Sequence, residues 1–351
     1  MKTLQAQRAA QEIRDRALSL NYDHCGIIPV DELAVYGQYL RARIEKFPAD
    51  RGFLERFAGL ATPRQQFPWA RSIIVCASFY GDYHLPAHLP GLIGRSFLVD
   101  RRRQTDCRDY LNGRALEAYL EACGIRFAAH IDYGVIALRQ AAQAAGLGLI
   151  RQNNFFYTEK GSWVWLEAWL IDQELELREA NQLKPCPAKC DRCRAACPTS
   201  SLAEPYQMSP GHCAACLSFG FGEGTDWTSQ PLAASVGGWL FGCDACQEAC
   251  PFNQGAWRGG HEFPGLAELA DDLSPVKIVK ADYGFLREKL SRKFWYVPPE
   301  HAWQFKLNAL NVLNNGWREE YRPALARALA DPEALVRKMA RWVAAHQGLS
   351  G

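Results

Sequence analysis

Four thiols crowd into thirteen residues at Cys186–Pro198, "CPAKCDRCRAACP". Thiols so dense serve a disulfide staple, a structural zinc or an iron–sulfur cluster. The spacing separates these chemistries. Cys190, Cys193 and Cys197 are spaced x2 then x3, with Pro198 after the last, and Cys243, Cys246 and Cys250 repeat the pattern before Pro251. Zinc ribbons pair CxxC with CxxC and place no proline after an x3-spaced third thiol. A doubled CxxCxxxCP is the two-cluster arrangement, in which the cysteine before proline reaches across to the other cubane. Cys186, Cys190 and Cys193 with Cys250 then make one ligand set. Cys197, Cys243 and Cys246 make a second that lacks one thiol, and "GHCAAC" offers Cys213 or Cys216 for it. One irregularity stands out: three residues separate Cys186 from Cys190, where ferredoxins hold two. CxxxCxxC also binds the single cluster of radical-SAM enzymes, but the second run and the lack of alternating strands and helices around it argue against that.

The distribution of the thirteen cysteines supports a metal role, since nine fall between Cys186 and Cys250 and none follow. The other four, Cys25, Cys76, Cys107 and Cys123, read as small buried apolar side chains. With 351 residues, 48% hydrophobic and 22% charged, the chain has the makings of a globular protein of two or three domains. A net charge of +2 means that any nucleic-acid surface must be a local patch. The first twenty residues lack a signal-type apolar core, and no run of roughly 18 apolar residues marks a membrane helix. A cytoplasmic protein without membrane attachment is expected, and a reducing cytosol argues against disulfides.

The elements that must position these thiols are legible in outline. Ala10, Ile13, Ala17 and Leu20 recur at helical spacing. "RSIIVCASFYG" (71–81), "RFAAHI" (126–131) and "SWVWLEAWLI" (162–171) read as strands, and the helix between the last two ends at Gly146 and Gly148. GxGxxG, P-loop and acyl-transfer serine motifs are missing. At the C-terminus, Asp331-Pro332 reads as an N-cap and first helical residue, with Leu335, Val336, Met339, Trp342 and Val343 on one face of a HEAT-like helical pair. Before it, residues 277–306 carry seven Lys or Arg against three Asp or Glu, interleaved with aromatics that could stack bases.

Taken together, "GCDACQEACPFN", "CPTSSL", "AAGLGLIRQNNFFYTEKGSWVWLEAWL" and "ALADPEALVRKMARWVAAH" resemble the epoxyqueuosine reductase family across nearly the whole chain. The resemblance implies an α+β protein of three parts. These are a nitroreductase-like corrinoid-binding domain (1–182), a ferredoxin-like double 4Fe–4S domain (183–260), and a basic linker with a HEAT-like tail (261–351). It further implies two 4Fe–4S clusters and cobalamin as cofactors. The substrate would be a tRNA anticodon stem-loop carrying epoxyqueuosine, and electrons would come from an external low-potential donor to a monomer. Asp132 stands where the family keeps its proton donor. A carboxyl can donate at neutral pH only if burial raises its pKa.

Arg139, Asn153, Ser162 and Trp163 are the implied corrinoid contacts, and Arg292, Lys293 and Lys306 the expected tRNA contacts. The family's placement of a cysteine favours Cys213 over Cys216 as the eighth cluster ligand. His84, in "DYHLPAH", reads as a loop residue and not as a cobalt ligand. The chain departs from the family where Val135 replaces proline, Leu138 replaces glutamate, and Arg151 and Gln152 replace glycine and lysine. Three rival readings are a corrinoid reductase of small molecules, such as organohalides, a diverged paralogue of unknown substrate, and an electron carrier or activator of a corrinoid protein.

Overall fold

The computed structural model describes residues 2–129, 134–220 and 235–349. Its N-terminal part is a four-stranded sheet in the order β1-β2-β6-β3, with β1 His24–Pro29, β2 Ser72–Phe79, β3 Phe127–Ala129 and β6 Val164–Ile171. Every pairing in it is antiparallel. Alternate side chains of a strand point to opposite faces, and here both faces are covered. Ile73, Val75 and Ala77 join Ala168 and Leu170 under helix α4 (Leu138–Ala144). Ile74 and Cys76 join Trp169 and Ile171 under α1 (Lys2–Ser19) and α3 (Arg108–Ala122). Two buried faces explain why β2 is buried at every position and why Ile73 to Ala77 form an unbroken apolar run without alternation. Cys25, Cys76 and Cys107 are buried as expected, whereas Cys123, at the end of α3, is exposed.

Close packing of α4 against β1 requires Gly26, where a Cβ would stand 2.8 Å from that of Ala145. The helix then stops at Gly146, whose φ of +79° suits glycine. A short hairpin follows, β4 (Leu149–Ile150) with β5 (Phe156–Tyr157). It leads into β6 and carries the residues between its strands toward the cysteine segments.

The C-terminal helices α5 (Pro275–Lys280), α6 (Trp303–Asn315), α7 (Arg322–Leu329) and α8 (Ala334–His346) share one core with the second cysteine segment. Phe241 meets Phe294 and Phe305, at centroid distances of 4.6 and 6.0 Å. The α8 face contains Val336, Met339 and Val343, all buried, with Trp342 packed beside them. Leu335 departs from the expectation and is 44% exposed.

The reason lies at Asp331. It is not the N-cap of α8, a place taken by Glu333, whose side chain accepts from Leu335 N. Asp331 is instead buried and accepts from Lys306 Nζ at 2.7 Å, Tyr283 OH at 2.7 Å and Glu333 N at 2.9 Å. This corrects the expectation for Lys306 as well. Only 3% exposed, it is an internal ion-pair partner and has no route to a phosphate. Burial works to raise the Asp331 pKa, but the bonds from Lys306, Tyr283 and Glu333 outweigh it and hold the carboxyl below its usual range. Breaking a buried pair from one side leaves an uncompensated charge. Lys306→Met should therefore cost about 3–5 kcal/mol, read as a lowered urea midpoint. A carboxyl with a depressed folded pKa stabilises fully above its unfolded pKa and loses that contribution as pH falls through the folded one. The deficit of Lys306→Met should accordingly shrink in acid, below the ordinary aspartate range.

Candidate metal centre and adjoining cavity

Each CxxCxxxCP run folds into one short helical turn, Arg192–Ala195 in the first and Ala245–Glu248 in the second. The two turns start alike. Arg194 N donates to Asp191 O, and Gln247 N to Asp244 O, both at 2.8 Å. Pro251 opens a tight turn, Pro251–Asn253, directly after Cys250. The turns pack on one another and sort the thiols into two neighbourhoods. Burial raises the Cys193 pKa, and negative charge on Cys250, Cys186 and Cys190 raises it further. Burial likewise drives Cys243 up to about 12, with Cys213, Asp244 and Cys197 adding to the effect. Cys246 is raised by burial, then by Cys243, Cys213 and Cys197, and after them by Cys193 of the other neighbourhood. Such thiols ionise only if a cation takes the proton's place, the condition a cluster meets. Among the described residues no three ligand side chains converge on a single point, and a cubane's own width keeps its four thiolates apart.

Cys213 and Cys216 differ sharply. Cys213 caps the short helix Ala214–Ser218. A hydrogen bond from Cys216 lowers its pKa against the effect of burial, with help from the backbone N–H groups of Cys216 and Ala215 and from Arg43. Cys216 is raised, chiefly by its bond to Cys213 and then by burial, and it looks toward Arg43 and Asp50. Cys213 is thus the neighbour of Cys197, Cys243 and Cys246, and Cys216 is the neighbour of Cys213 on the side of a cavity.

That cavity measures about 480 Å³, within the range of small-molecule pockets. Phe53, Phe57, Phe155 and Phe156 supply apolar wall, and Cys216 and Met208 close the side nearest the thiols. Five arginines line it, Arg43, Arg101, Arg102, Arg114 and Arg139, against Glu117 and Glu167. Arg101 Nη1 is held 2.8 Å from Glu167 and Arg102 Nη2 2.7 Å from Asp100. Arg43 and Arg139 instead face one another. Burial and the Arg43 charge lower the Arg139 pKa to about 10, with Tyr36 working the other way. Among the described residues Arg139 donates to the Asn154 carbonyl, and Arg43 Nε to that of Met208 at 2.9 Å. Two guanidiniums so placed favour an anion between them. The indole Nε1 of Trp165, on the same wall, is buried without an acceptor among the described residues. An anionic ligand rich in acceptors fits these walls.

The sequence-expected residues divide. Arg139 and Ser162 line the cavity. Ser162 is also locked from behind: its Oγ donates to Gln247 Oε1 at 2.8 Å and accepts from Asn253 Nδ2 at 2.7 Å. Asn153 faces elsewhere, donating to Tyr157 OH at 2.9 Å and Cys246 O at 3.2 Å, and so clamps the hairpin to the second cysteine run. Trp163 is buried edge-on against Tyr80 and Trp257, under the Arg95 guanidinium. Asp132 lies outside the described residues; the chain just beyond it, from Ile136 to Gln140, lines the cavity. His84 is exposed and donates its N–H to His261 O at 2.7 Å, away from the cavity, as a loop residue should.

Of the positions where the chain departs from the family pattern, Leu138 lines the cavity. Arg151 and Gln152 do not. They line a small gap with Cys186, Cys190, Cys193 and Cys250, with Arg151 Nη1 3.8 Å from Cys186 Sγ. Of the remaining basic residues, Arg292 is exposed, whereas burial lowers the Lys293 pKa to about 8 and its amine sits 4.3 Å over the Phe263 ring. Sequence reasoning missed Tyr36 and Arg43, seven residues apart on helix α2 (Ala34–Lys46), and Trp165 and Glu167, two residues apart on β6; none of them belongs to a motif. The run Arg101–Arg103 was the one local sign of a positive wall.

Comparison with known proteins agrees with this arrangement. A family model described as a 4Fe-4S double cluster binding domain matches residues 186–253. An epoxyqueuosine reductase of Gloeobacter violaceus is 32% identical over 283 residues, covering 75% of this chain and 80% of that protein. One from Staphylococcus aureus is 30% identical over 362 residues, 97% of this chain and 89% of the relative. Among solved structures, an epoxyqueuosine reductase crystallised with an epoxyqueuosine-modified tRNA stem loop superposes with a TM-score of 0.78 at 22% identity, covering 97% of this chain and 90% of that one. A Bacillus subtilis epoxyqueuosine reductase, its catalytic aspartate loop swung out of the active site, gives 0.74 at 21% identity, with coverage of 97% and 90%. At these identities the structural likeness shows the shared fold.

Proposed function

The chain belongs to the epoxyqueuosine reductase family, and from that premise we infer that it is an oxidoreductase converting epoxyqueuosine to queuosine in tRNA. The reaction consumes two electrons and two protons, breaks both C–O bonds of the epoxide, and releases water and an alkene. The observation that carries the reading is the contact between a double-cluster segment and an arginine-lined cavity at Cys216.

Cys186, Cys190, Cys193 and Cys250 would hold one 4Fe–4S cluster, and Cys197, Cys213, Cys243 and Cys246 the other. Each thiol is influenced first by others of its own set, with Cys193 acting on Cys246 only after them, and this supports the division. Cys216 then lies between the second set and the cavity, so that set is the inner one. A corrinoid bound in the cavity would supply a cobalt centre of low enough potential to open the epoxide. Arg139 and Arg43 would hold an anionic group such as its phosphate, Trp165 Nε1 an amide oxygen, and the four phenylalanines would exclude water. Asp132 would deliver a proton to the departing epoxide oxygen, which is a poor leaving group as an alkoxide. For the tRNA, Arg292 is exposed on the tail, and Arg103 sits over the Trp295 ring at 4.7 Å, an arrangement suited to phosphates and bases. A monomer in the cytoplasm accords with the sequence, and among the described residues no helix is long and apolar enough to cross a membrane.

Anaerobically prepared protein should hold about eight iron atoms, four for each cubane. Cys213→Ala should lose about half of them, while Cys216→Ala keeps them all; the reverse result would exchange the roles of the two thiols. Asp132→Asn should retain its iron and bind stem-loop RNA normally while turnover falls by about 10²–10⁴-fold, the usual cost of losing a general acid. A rate within about tenfold of the parent would remove Asp132 from the reaction.

A further inference from the structure

The two thiol sets have different surroundings, and the difference bears on how electrons arrive. The inner set meets the cavity at Cys216. Around the other set, Cys186 and Cys190 are half-buried, and the side chains beside them, Lys184, Lys189 and Arg192, are exposed. From Lys184 to Arg194 the chain carries four basic residues against Asp191 alone, on a protein whose net charge is only +2. Among the described residues, none of the three exposed cations has an ion-pair partner. Phe252, two residues past Cys250, is 42% exposed, and its ring lies 3.5 Å beneath the Arg151 guanidinium. Nearby Tyr206, whose N–H bonds to Gln152 O, is 47% exposed. Half-covered ligands, a rim of unpaired cations and two exposed rings make an accessible, positively charged face.

We propose that this face docks a small acidic electron-carrier protein, steered by Lys184, Lys189 and Arg192, with Phe252 as the apolar contact. The inference rests on the cluster ligation given under Proposed function. At each encounter the carrier's reduced centre gives up one electron and the outer cluster gains it. Two encounters supply the pair that the reduction consumes, and no proton or bond to the carrier is involved. Charge complementarity of this kind acts mainly on the rate of association and weakens with salt. An RNA backbone would also be drawn to such a rim, but the half-exposed cluster ligands and the distance in sequence from Arg292 and Trp295 favour the carrier.

The test uses the iron-loaded full chain and its Lys184→Glu, Lys189→Glu, Arg192→Glu triple variant, with the triple glutamine variant as a milder form. Cluster bleaching by flavodoxin hydroquinone, in anaerobic stopped flow at low salt, should slow by about tenfold or more in the glutamate variant. The glutamine variant should fall between it and the parent. Added salt should slow the parent and leave the glutamate variant unchanged or faster. Flavodoxin binding, followed by calorimetry, should weaken in the same order. Bleaching by the methyl viologen radical cation, which needs no docking, should not fall, and stem-loop affinity should stay at the parent value. Unchanged flavodoxin rates and binding in both variants would overturn the proposal. Weakened stem-loop binding with unchanged flavodoxin rates would assign the face to RNA and overturn it equally. Parent protein without iron would fail the cluster reading instead, while the calorimetry still judges the docking face.

Discussion

The interleaving of the two cysteine runs is the constraint to which the rest of the structure answers. In a doubled CxxCxxxCP the last thiol of each run serves the other set, so neither set exists until Cys190–Cys197 and Cys243–Cys250 meet. The N-terminal sheet helps to force that meeting, by polar bonds made just before β6 and in the hairpin that leads to it. Ser162 holds Gln247 and Asn253, and Asn153 holds the Cys246 carbonyl. On the far side Asp244, buried, accepts from Arg95 N at 2.8 Å and Arg95 Nη1 at 3.1 Å. Burial drives the Asp244 pKa up to about 6, while Arg95 pulls it down. A buried network of this kind specifies one arrangement because each member left unpaired would cost the full desolvation of its polar group. Asn153 and Ser162, expected from the family resemblance to touch a cofactor, fasten the second cysteine run, Ser162 while also lining the cavity.

A second consequence is electrostatic. Thiolates gathered beside an apolar wall need compensating positive charge, and the cavity supplies it on one side through Arg43, which influences Cys213, Cys216, Tyr36 and Arg139 together. Arg151 plays the matching part at the outer set. The same guanidiniums then leave a cavity that is positive where an anion must sit. Replacing Arg by Lys at such sites would keep the charge and lose the planar, multi-donor geometry. The positive wall and the compensation of the clusters are one design carried by one residue type.

How much of this could be read from the sequence follows from where the information sits. Cysteine chemistry is local, so CxxCxxxCP and its proline announced themselves, and so did the strand runs and the Gly146 stop. The cavity is not local. Tyr36 and Arg43 share one helix, Arg101, Arg139 and Trp165 come from three other stretches, and only the fold brings the four stretches together. Asp331-Pro332 has the form of a helix start, but the Lys306 ammonium needs a buried carboxylate, and that demand moves the cap to Glu333. Lys306 carried its own clue, a single lysine inside the otherwise apolar and amide-rich "WQFKLNALNVLNN". A lone cation in such a run is more economically explained by an internal partner than by an RNA backbone. Arg151 and Gln152 show the converse, since this departure from the family pattern lies beside Cys186, Cys190, Cys193 and Cys250 and not in the cavity.

The tail, finally, is more than a cap on the cluster segment. Arg102 lines the cavity, pairs with Asp100, and lies 5.7 Å from the Trp165 ring, 4.8 Å from that of Trp295 and 5.3 Å from that of Tyr296. Trp295 Nε1 donates to the same Asp100 carboxylate at 3.1 Å, and Tyr296 stacks on Phe219, 4.8 Å away, beside the second cysteine segment. Burial works to raise the Asp100 pKa, but its bonds from Arg102 and Trp295 keep the carboxyl below its ordinary range, so the hub stays charged at neutral pH. Each ring contact of this kind is worth about 0.5–2 kcal/mol, and several converge on one guanidinium. The cavity wall and the segment leading into the tail therefore share a side chain. A HEAT-like pair needs neighbours to bury its face, and here the aromatic residues that precede it tie that neighbour to the wall where a substrate would enter.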